Sequence, residues 1–235
     1  MSFLPWVSDD DLTTATKHLL ITAEEAFINS REKFSKNVID PFAALFEIYG
    51  FNIDYDTWKK SEEARKSQKT LQNHIGEFHQ IILGGVEEWR NLGKGNIVDL
   101  VSEQRGIIAE IKNKHNTVSG GDLANKYHDL DNLVSPKNSV YKGFTAYHVN
   151  IIPKTRKRFD KPFTPSNNKS GTKCQSNELI RHIDGASFYT LVTGRHDALR
   201  ELYNVLPEVV SSLTGRALEV EARRNLISFF DEAFS

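Results

Sequence analysis

The chain has 235 residues, with 30 Lys and Arg against 31 Asp and Glu for a formal charge of −1. Hydrophobic residues at 39% and charged residues at 26% exclude a disordered chain, a fibre and a histone-like polycation. Cys174 is the only cysteine, which excludes a disulfide framework or a cysteine zinc site and suits a reducing cytoplasm. No apolar run approaches the ~20 residues of a membrane helix, and the acidic start does not read as a signal peptide.

The first part of the chain reads as helical. Residues 8–11 offer N-cap side chains, and Leu12, Thr16, Leu19, Ala23, Phe27 and Phe34 follow at helical spacing. Pro41 opens a short helix that ends near Gly50. A longer helix starts near Asp56, carries Leu71, Ile75, Phe78 and Ile82 on one face, and stops at Gly84-Gly85. The period then changes. Residues 96–101 and 106–112 read as two strands around a turn, pairing as an antiparallel hairpin, the second apolar enough to be central. A helix start at residues 119–122 precedes Leu123, Tyr127, Leu130 and Val134 at helical spacing. Residues 144–152 predict a third strand closed by Pro153, and residues 187–192 a fourth closed by Thr193-Gly194. Residues 196–233 predict helices broken near Pro207 and Gly215. The expectation is a mixed α/β fold, a small mixed sheet flanked by helices, with a helical N-terminal region over 1–66 and a core over 67–235. Trp6, Trp58 and Trp89 fall among helical apolar positions and are expected in the core.

Charge is uneven along this frame. Residues 1–63 carry twelve acids and six bases, a sum of −6. Residues 153–173 carry seven bases against Asp160, a sum of +6. The basic stretch holds Pro153, Pro162, Pro165 and Gly171 and predicts a long loop. Composition alone leaves two readings open, a solvated surface loop or an anion-binding one.

Asp99, Glu110 and Lys112 carry the chemistry. Glu110-Ile111-Lys112 is the chain's one acid-x-Lys triplet, and strand periodicity sets Glu110 and Lys112 on one side with Ile111 on the other. Burying a lone carboxylate costs several kcal/mol unless a cation compensates it. Asp99, one strand earlier, can meet Glu110 across the hairpin, and two converging carboxylates suit a hard divalent ion such as Mg²⁺. An edge-strand salt bridge between Lys112 and either acid explains the same residues. Spacing does not separate the two readings.

Asp99 followed by Glu110-Ile111-Lys112 on a hairpin preceded by a helix resembles the PD-(D/E)xK nucleases. The text from Ile107 through Thr117, the Gly-led helix after it, Asp184-Gly185-Ala186-Ser187-Phe188-Tyr189 and Thr193-Gly194 are similar to type II restriction endonucleases, most to the group that includes GGNCC-site cutters. The likeness runs from about residue 70 to about 205. Val98 stands where the motif has proline, a position that contributes no ligand. The resemblance implies a restriction-endonuclease-like core and Mg²⁺-dependent, sequence-specific hydrolysis of duplex DNA leaving 5′-phosphates, by a homodimer without a nucleotide cofactor. Asp99, Glu110 and the Ile111 carbonyl would hold Mg²⁺. Lys112 would orient or deprotonate the attacking water, and Glu77 on the preceding helix is a candidate fourth member.

Each DNA-binding candidate has a plainer reading beside it. Lys114 and His115 would contact phosphates near the cut, or cap the strand end. Lys154, Arg156, Lys157, Arg158 and Lys161 would meet DNA, with arginines able to read guanine edges. Lys173, Arg181 and Asp184 would extend that surface, Asp184 accepting from a cytosine amine or simply making a turn before a strand. A structure-specific repair or recombination nuclease, or a non-catalytic DNA-binding protein, are the alternatives.

Overall fold

The computed structural model describes residues 2–32, 34, 38–118, 120–167 and 171–234. Ser119, in the expected helix start, and Lys33, Lys36 and Lys169, in the charge sums, lie outside them. The chain forms two compact units, Met1–Thr16 with Phe78–Ser235, and Lys17–Glu77. The expected division at residue 66 therefore differs from the observed one, because the first sixteen residues group with the sheet-bearing part.

The first three helices are α1 (Asp9–Glu32), α2 (Pro41–Phe51) and α3 (Tyr55–Gly84), and α2 lies within the smaller unit. Asp40 caps α2, accepting from the Phe42 and Ala43 N–H groups at 2.9 and 3.2 Å, with Pro41 in the first turn. Asn52 in the left-handed conformation ends it, two residues beyond Gly50. Phe34 and Trp58 pack edge to face at 6.3 Å as the buried centre of this unit.

The larger unit is built on a six-stranded mixed sheet. Its elements in chain order are β1 (Arg90–Asn91), β2 (Leu100–Ser102), β3 (Ile107–Lys114), α4 (Gly120–Val134), β4 (Thr145–Ile152), β5 (Asp160–Pro162), β6 (Ser166–Asn167), β7 (Thr172–Lys173), β8 (Ile180–Asp184), α5 (Gly185–Thr193), α6 (Ala198–Thr214) and α7 (Val220–Phe234). The strand order is β1-β2-β3-β4-β8-β5, with β6 and β7 a separate hairpin. The β2–β3 pair is the expected antiparallel hairpin, turned at Gly106 with φ +63°, a conformation glycine adopts without a side-chain clash. Strands β3, β4 and β8 are parallel neighbours. Helix α4 covers the sheet through Ala124, Tyr127, Leu130 and Val134, packed with Val101, Ile108, Ala146 and Ile180.

Four expectations are corrected. Strand β2 begins at Leu100, not at residue 96, because residues 93–99 turn and bend around two glycines. Residues 187–192 are not a strand but lie in helix α5, and the strand is β8 just before it. Phe188, Tyr189 and Val192 are all buried, so that apolar run has no exposed face to reveal its period. Pro207 does not break α6; the helix continues to Thr214, anchored by buried Leu202 and Val209 on either side. The basic stretch is not wholly loop, since β5 pairs with β8 at the sheet edge, where Pro162 is tolerated. Trp58 and Trp89 are buried as expected, while Trp6 is half-buried, donating to Glu201 at 3.0 Å.

Candidate active site

At the C-terminal end of the parallel strands, one face of the sheet carries two rows of polar side chains. Register places Glu110 beside His148 and His148 beside His182. The next row is Lys112, Asn150 and Asp184. Partners in register share a face, so the six residues form one polar patch. Glu110, His148, Asn150 and Asp184 are all buried.

Glu110 is at the centre and 3% exposed. Its Oε1 meets Lys112 Nζ at 2.9 Å and Lys126 Nζ of α4 at 3.0 Å, and its Oε2 lies 3.4 Å from His148 Nδ1. Burial pushes the Glu110 carboxyl up, but the His148 hydrogen bond and the Lys112 ammonium outweigh it and hold the group at about 2. Lys126 is raised above the usual ammonium range, since Glu110 outweighs the opposing burial. His148 is stacked on Phe163 with centroids 4.7 Å apart, which fixes the imidazole against Glu110. His182 is lowered to about 3, by burial first and then by the charges of His148 and Lys161, so it stays neutral and meets Asn150 Nδ2 through Nε2.

Asp99 sits just before β2. Its Oδ2 accepts from the Ile111 N–H at 2.6 Å, and its own backbone N–H donates to the Ala109 carbonyl at 2.8 Å. The Asp99 carboxyl is raised by burial and by Glu110, against the lowering pull of the Ile111 hydrogen bond and of Lys112 and Lys126. Two carboxyls within one another's field are thus pushed in opposite directions, Asp99 up and Glu110 down.

The donor set fits a hard divalent cation. N–H and C=O of one strand residue point to the same edge, so the Ile111 carbonyl faces the edge that Asp99 occupies. Asp99 Oδ1 makes no hydrogen bond among the described residues. No group of three or more His, Cys, Asp and Glu among the described residues could hold a metal. The carboxylates of Asp99 and Glu110 and the Ile111 carbonyl are oxygen donors, the kind a hard divalent ion takes.

The structure thus brings Asp99, Glu110, Ile111 and Lys112 together. The Lys112–Glu110 salt bridge, weighed from the sequence as a competing reading, is also present. A second lysine, Lys126, meets Glu110 besides the Lys112 of the triplet. Lys126 makes the cluster two acids and two ammonium groups, with the buried His148 alongside. Sequence reading missed Lys126, His148 and Asn150. For the last two the signal exists, because His148 and Asn150 alternate within the apolar strand Thr145–Ile152 as Glu110 and Lys112 do in β3. Nothing in helical spacing marks Lys126.

The other candidates are placed as follows. Glu77 lies in the smaller unit, with His74 Nδ1 3.3 Å from its carboxylate. Lys114 is exposed at the end of β3. The His115 N–H donates to the Ile152 carbonyl at 3.0 Å, while its Nδ1 is buried with no hydrogen-bond partner among the described residues. Lys154, Arg156 and Lys157 are exposed on the connection after β4. Arg158 is tied down, donating to the His196 carbonyl at 2.8 Å. Lys161 lies over the Phe159 ring at 5.1 Å, and Lys173 is exposed on β7. Arg181 is paired with Asp160 at 2.6 Å and with Glu178 at 3.4 Å.

Asp184 is a correction. It is 1% exposed, with Oδ1 accepting from the Ser187 N–H at 2.9 Å and Oδ2 from the Phe159 N–H at 2.6 Å. Its oxygens are committed to the α5 cap and to the loop before β5, out of reach of a base edge. Gly185 follows because a Cβ there would overlap the Ile151 carbonyl and Cα. The Asp184-Gly185 pair is therefore architectural.

A model of the Eco47II restriction endonuclease family matches residues 4–215. The chain is 52% identical to the type II restriction enzyme Eco47II of Escherichia coli over the full length of both. It is 29% identical to the type II restriction enzyme Sau96I of Staphylococcus aureus over 86% of this chain and 78% of that one. No solved structure matches the chain.

Proposed function

The chain belongs to the Eco47II restriction endonuclease family, and on that premise we propose that Asp99, Glu110 and Lys112 form its cleavage centre, with Mg²⁺ as the ion. The enzyme is a type II site-specific deoxyribonuclease of restriction-endonuclease-like fold. It hydrolyses phosphodiester bonds in double-stranded DNA and depends on a divalent metal ion. The repair-nuclease and non-catalytic alternatives give way to this assignment.

The observation that carries the residue assignment is the buried Glu110 carboxylate. It is held ionised between Lys112 and His148, with Asp99 anchored to the next backbone N–H. Asp99 Oδ1, Glu110 and the Ile111 carbonyl would hold the ion. When bound, it supplies Lewis-acid polarisation of the scissile phosphate and a more acidic water. Lys112 orients that water and offsets charge that develops on the phosphate oxygens. Lys126 adds a second ammonium at the same carboxylate, and His148, pinned by Phe163, holds Glu110 in place. Lys154, Arg156, Lys157, Lys161, Lys173 and Lys114 contribute positive charge for the DNA backbone, with His115 at the strand end. Arg158 and Arg181 serve the same surface through the N–H donors their protein partners leave.

Among the described residues, no helix is long and apolar enough to cross a membrane. We place the enzyme in the cytoplasm, where incoming DNA meets it. One centre per chain and two strands to cut support a two-fold homodimer. Digesting unmethylated phage DNA with Mg²⁺ and mapping the ends tests the reading, with GGNCC-type sites compared first. Discrete bands with 5′-phosphate ends are expected. Equal cutting with Asp99→Ala or Glu110→Ala would remove the proposed centre.

A further inference from the structure

Helix α2 is apolar and has no buried residue. Phe42, Leu45, Phe46 and Tyr49 stand at i, i+3, i+4 and i+7, the spacing of a face meant to be covered. They are 73, 51, 71 and 79% exposed. Phe51, 68% exposed, is half a turn round the helix from Phe42 and lies outside this stripe. The helix's one charged side chain, Glu47, turns away to accept from Trp58 Nε1 at 2.8 Å. An eleven-residue helix is marginal by itself in water, and this one has caps at both ends and half-buried Ala44, Glu47 and Ile48 on the side away from the stripe.

We propose that this face of α2 is where two copies of the chain pair, each stripe covering the other about a two-fold axis. The patch carries no charge of its own to repel its copy, and the exposed Asp54, Asp56 and Lys60 supply both signs for a polar rim. Aromatic side chains present 150–250 Å² each, so the three rings of the stripe at these exposures and one leucine offer roughly 500 Å², the centre of an interface whose rim supplies the rest. A stable interface takes about 800 Å² from each partner. The same face repeated on both copies is what a two-fold dimer requires. This inference rests on the homodimer reading above, and the experiment separates the two.

Sedimentation velocity on the full chain should give twice the 26.7 kDa chain mass. The double variant Phe46→Glu/Tyr49→Lys should weaken dimerisation by roughly 30-fold or more, with helical circular dichroism retained. Phe42→Cys, Phe46→Cys and Tyr49→Cys, made singly, provide a second measurement that does not depend on the charged variant folding. Mild oxidation should link at least one of them to its copy, and the buried Cys174 does not compete. A dimeric wild type with a dimeric double variant and no cross-link would overturn the α2 surface while leaving the homodimer standing. A monomeric wild type without cross-links would overturn both.

Discussion

Glu110 and Asp184 are both buried carboxylates on the same face of one sheet, 3% and 1% exposed. They are compensated differently. Asp184 is satisfied by two backbone N–H groups, from Phe159 and Ser187, that belong to fixed elements. Glu110 is satisfied by side chains, of which those of Lys112 and Lys126 are partly exposed. Backbone donors cannot leave without unfolding something, whereas ammonium groups can exchange a carboxylate for a phosphate. The way a buried acid is compensated thus separates an architectural acid from a chemical one, although strand register alone treats them alike.

The sharpest way to break this contrast is to remove each acid in turn. Glu110→Ala or Lys112→Ala should lower the cleavage rate by about 10³-fold or more in a plasmid assay, as expected when charge stabilisation is removed from a transition state. The circular dichroism of a folded chain should persist, because the released ammonium groups can turn to water. A modest loss of rate would place Glu110 with Asp184 among the structural acids.

Lys126 tests whether the second ammonium belongs to the centre. Lys126→Met should cost about 10²-fold in cleavage rate, with partial recovery in Lys126→Arg. It should also lower the salt dependence of DNA binding by about one phosphate. Unchanged salt dependence would make Lys126 a structural counter-ion.

Asp184→Ala is the mirror experiment. Losing the α5 cap and leaving the Phe159 N–H without its partner should cost roughly 2–4 kcal/mol in denaturant unfolding. Cleavage by the fraction that remains folded should be near wild type. A silent substitution would remove the architectural half of the comparison.

Acid pH distinguishes Asp99 from Glu110. Glu110 is depressed to about 2 from an ordinary 4.5. Its contribution to stability is therefore present above about 4.5 and lost as pH falls towards 2. Glu110→Gln should flatten that part of the melting-temperature profile. Asp99 is raised, so its ionised form opposes folding at neutral pH. Asp99→Asn should therefore melt higher than wild type at pH 7 while cutting poorly, the signature of a residue kept for chemistry. A lower melting point would contradict the assignment.

The smallest effects belong to the basic stretch. Arg156→Ala and Lys157→Ala should each weaken DNA binding modestly and reduce the salt slope by about one. Arg158→Ala should add a small loss of stability through its bond to the His196 carbonyl.

The α3 and α4 faces and the β2–β3 hairpin were legible in the residues because each shows a period, whereas the spacing of Asp99, Glu110 and Lys112 marked them without separating an ion pair from a metal site. Helix α5 was not legible, because a run buried on every side has no alternation to read. The Asp184-Gly185 corner was legible as a turn, but that the turn opens a helix depends on the cap to Ser187 and the close approach to Ile151.

Local sequence determined which side of β3 bears charge, since the backbone alternates whatever the rest of the chain does. Only the tertiary structure decided what that charge meets. Lys126 arrives on a helix that crosses the sheet, His148 on a parallel strand 38 residues away, and Asp184 at the end of the strand beyond it. Parallel strands are joined through long crossovers, and periodicity within one element carries no information about which strand lies beside it.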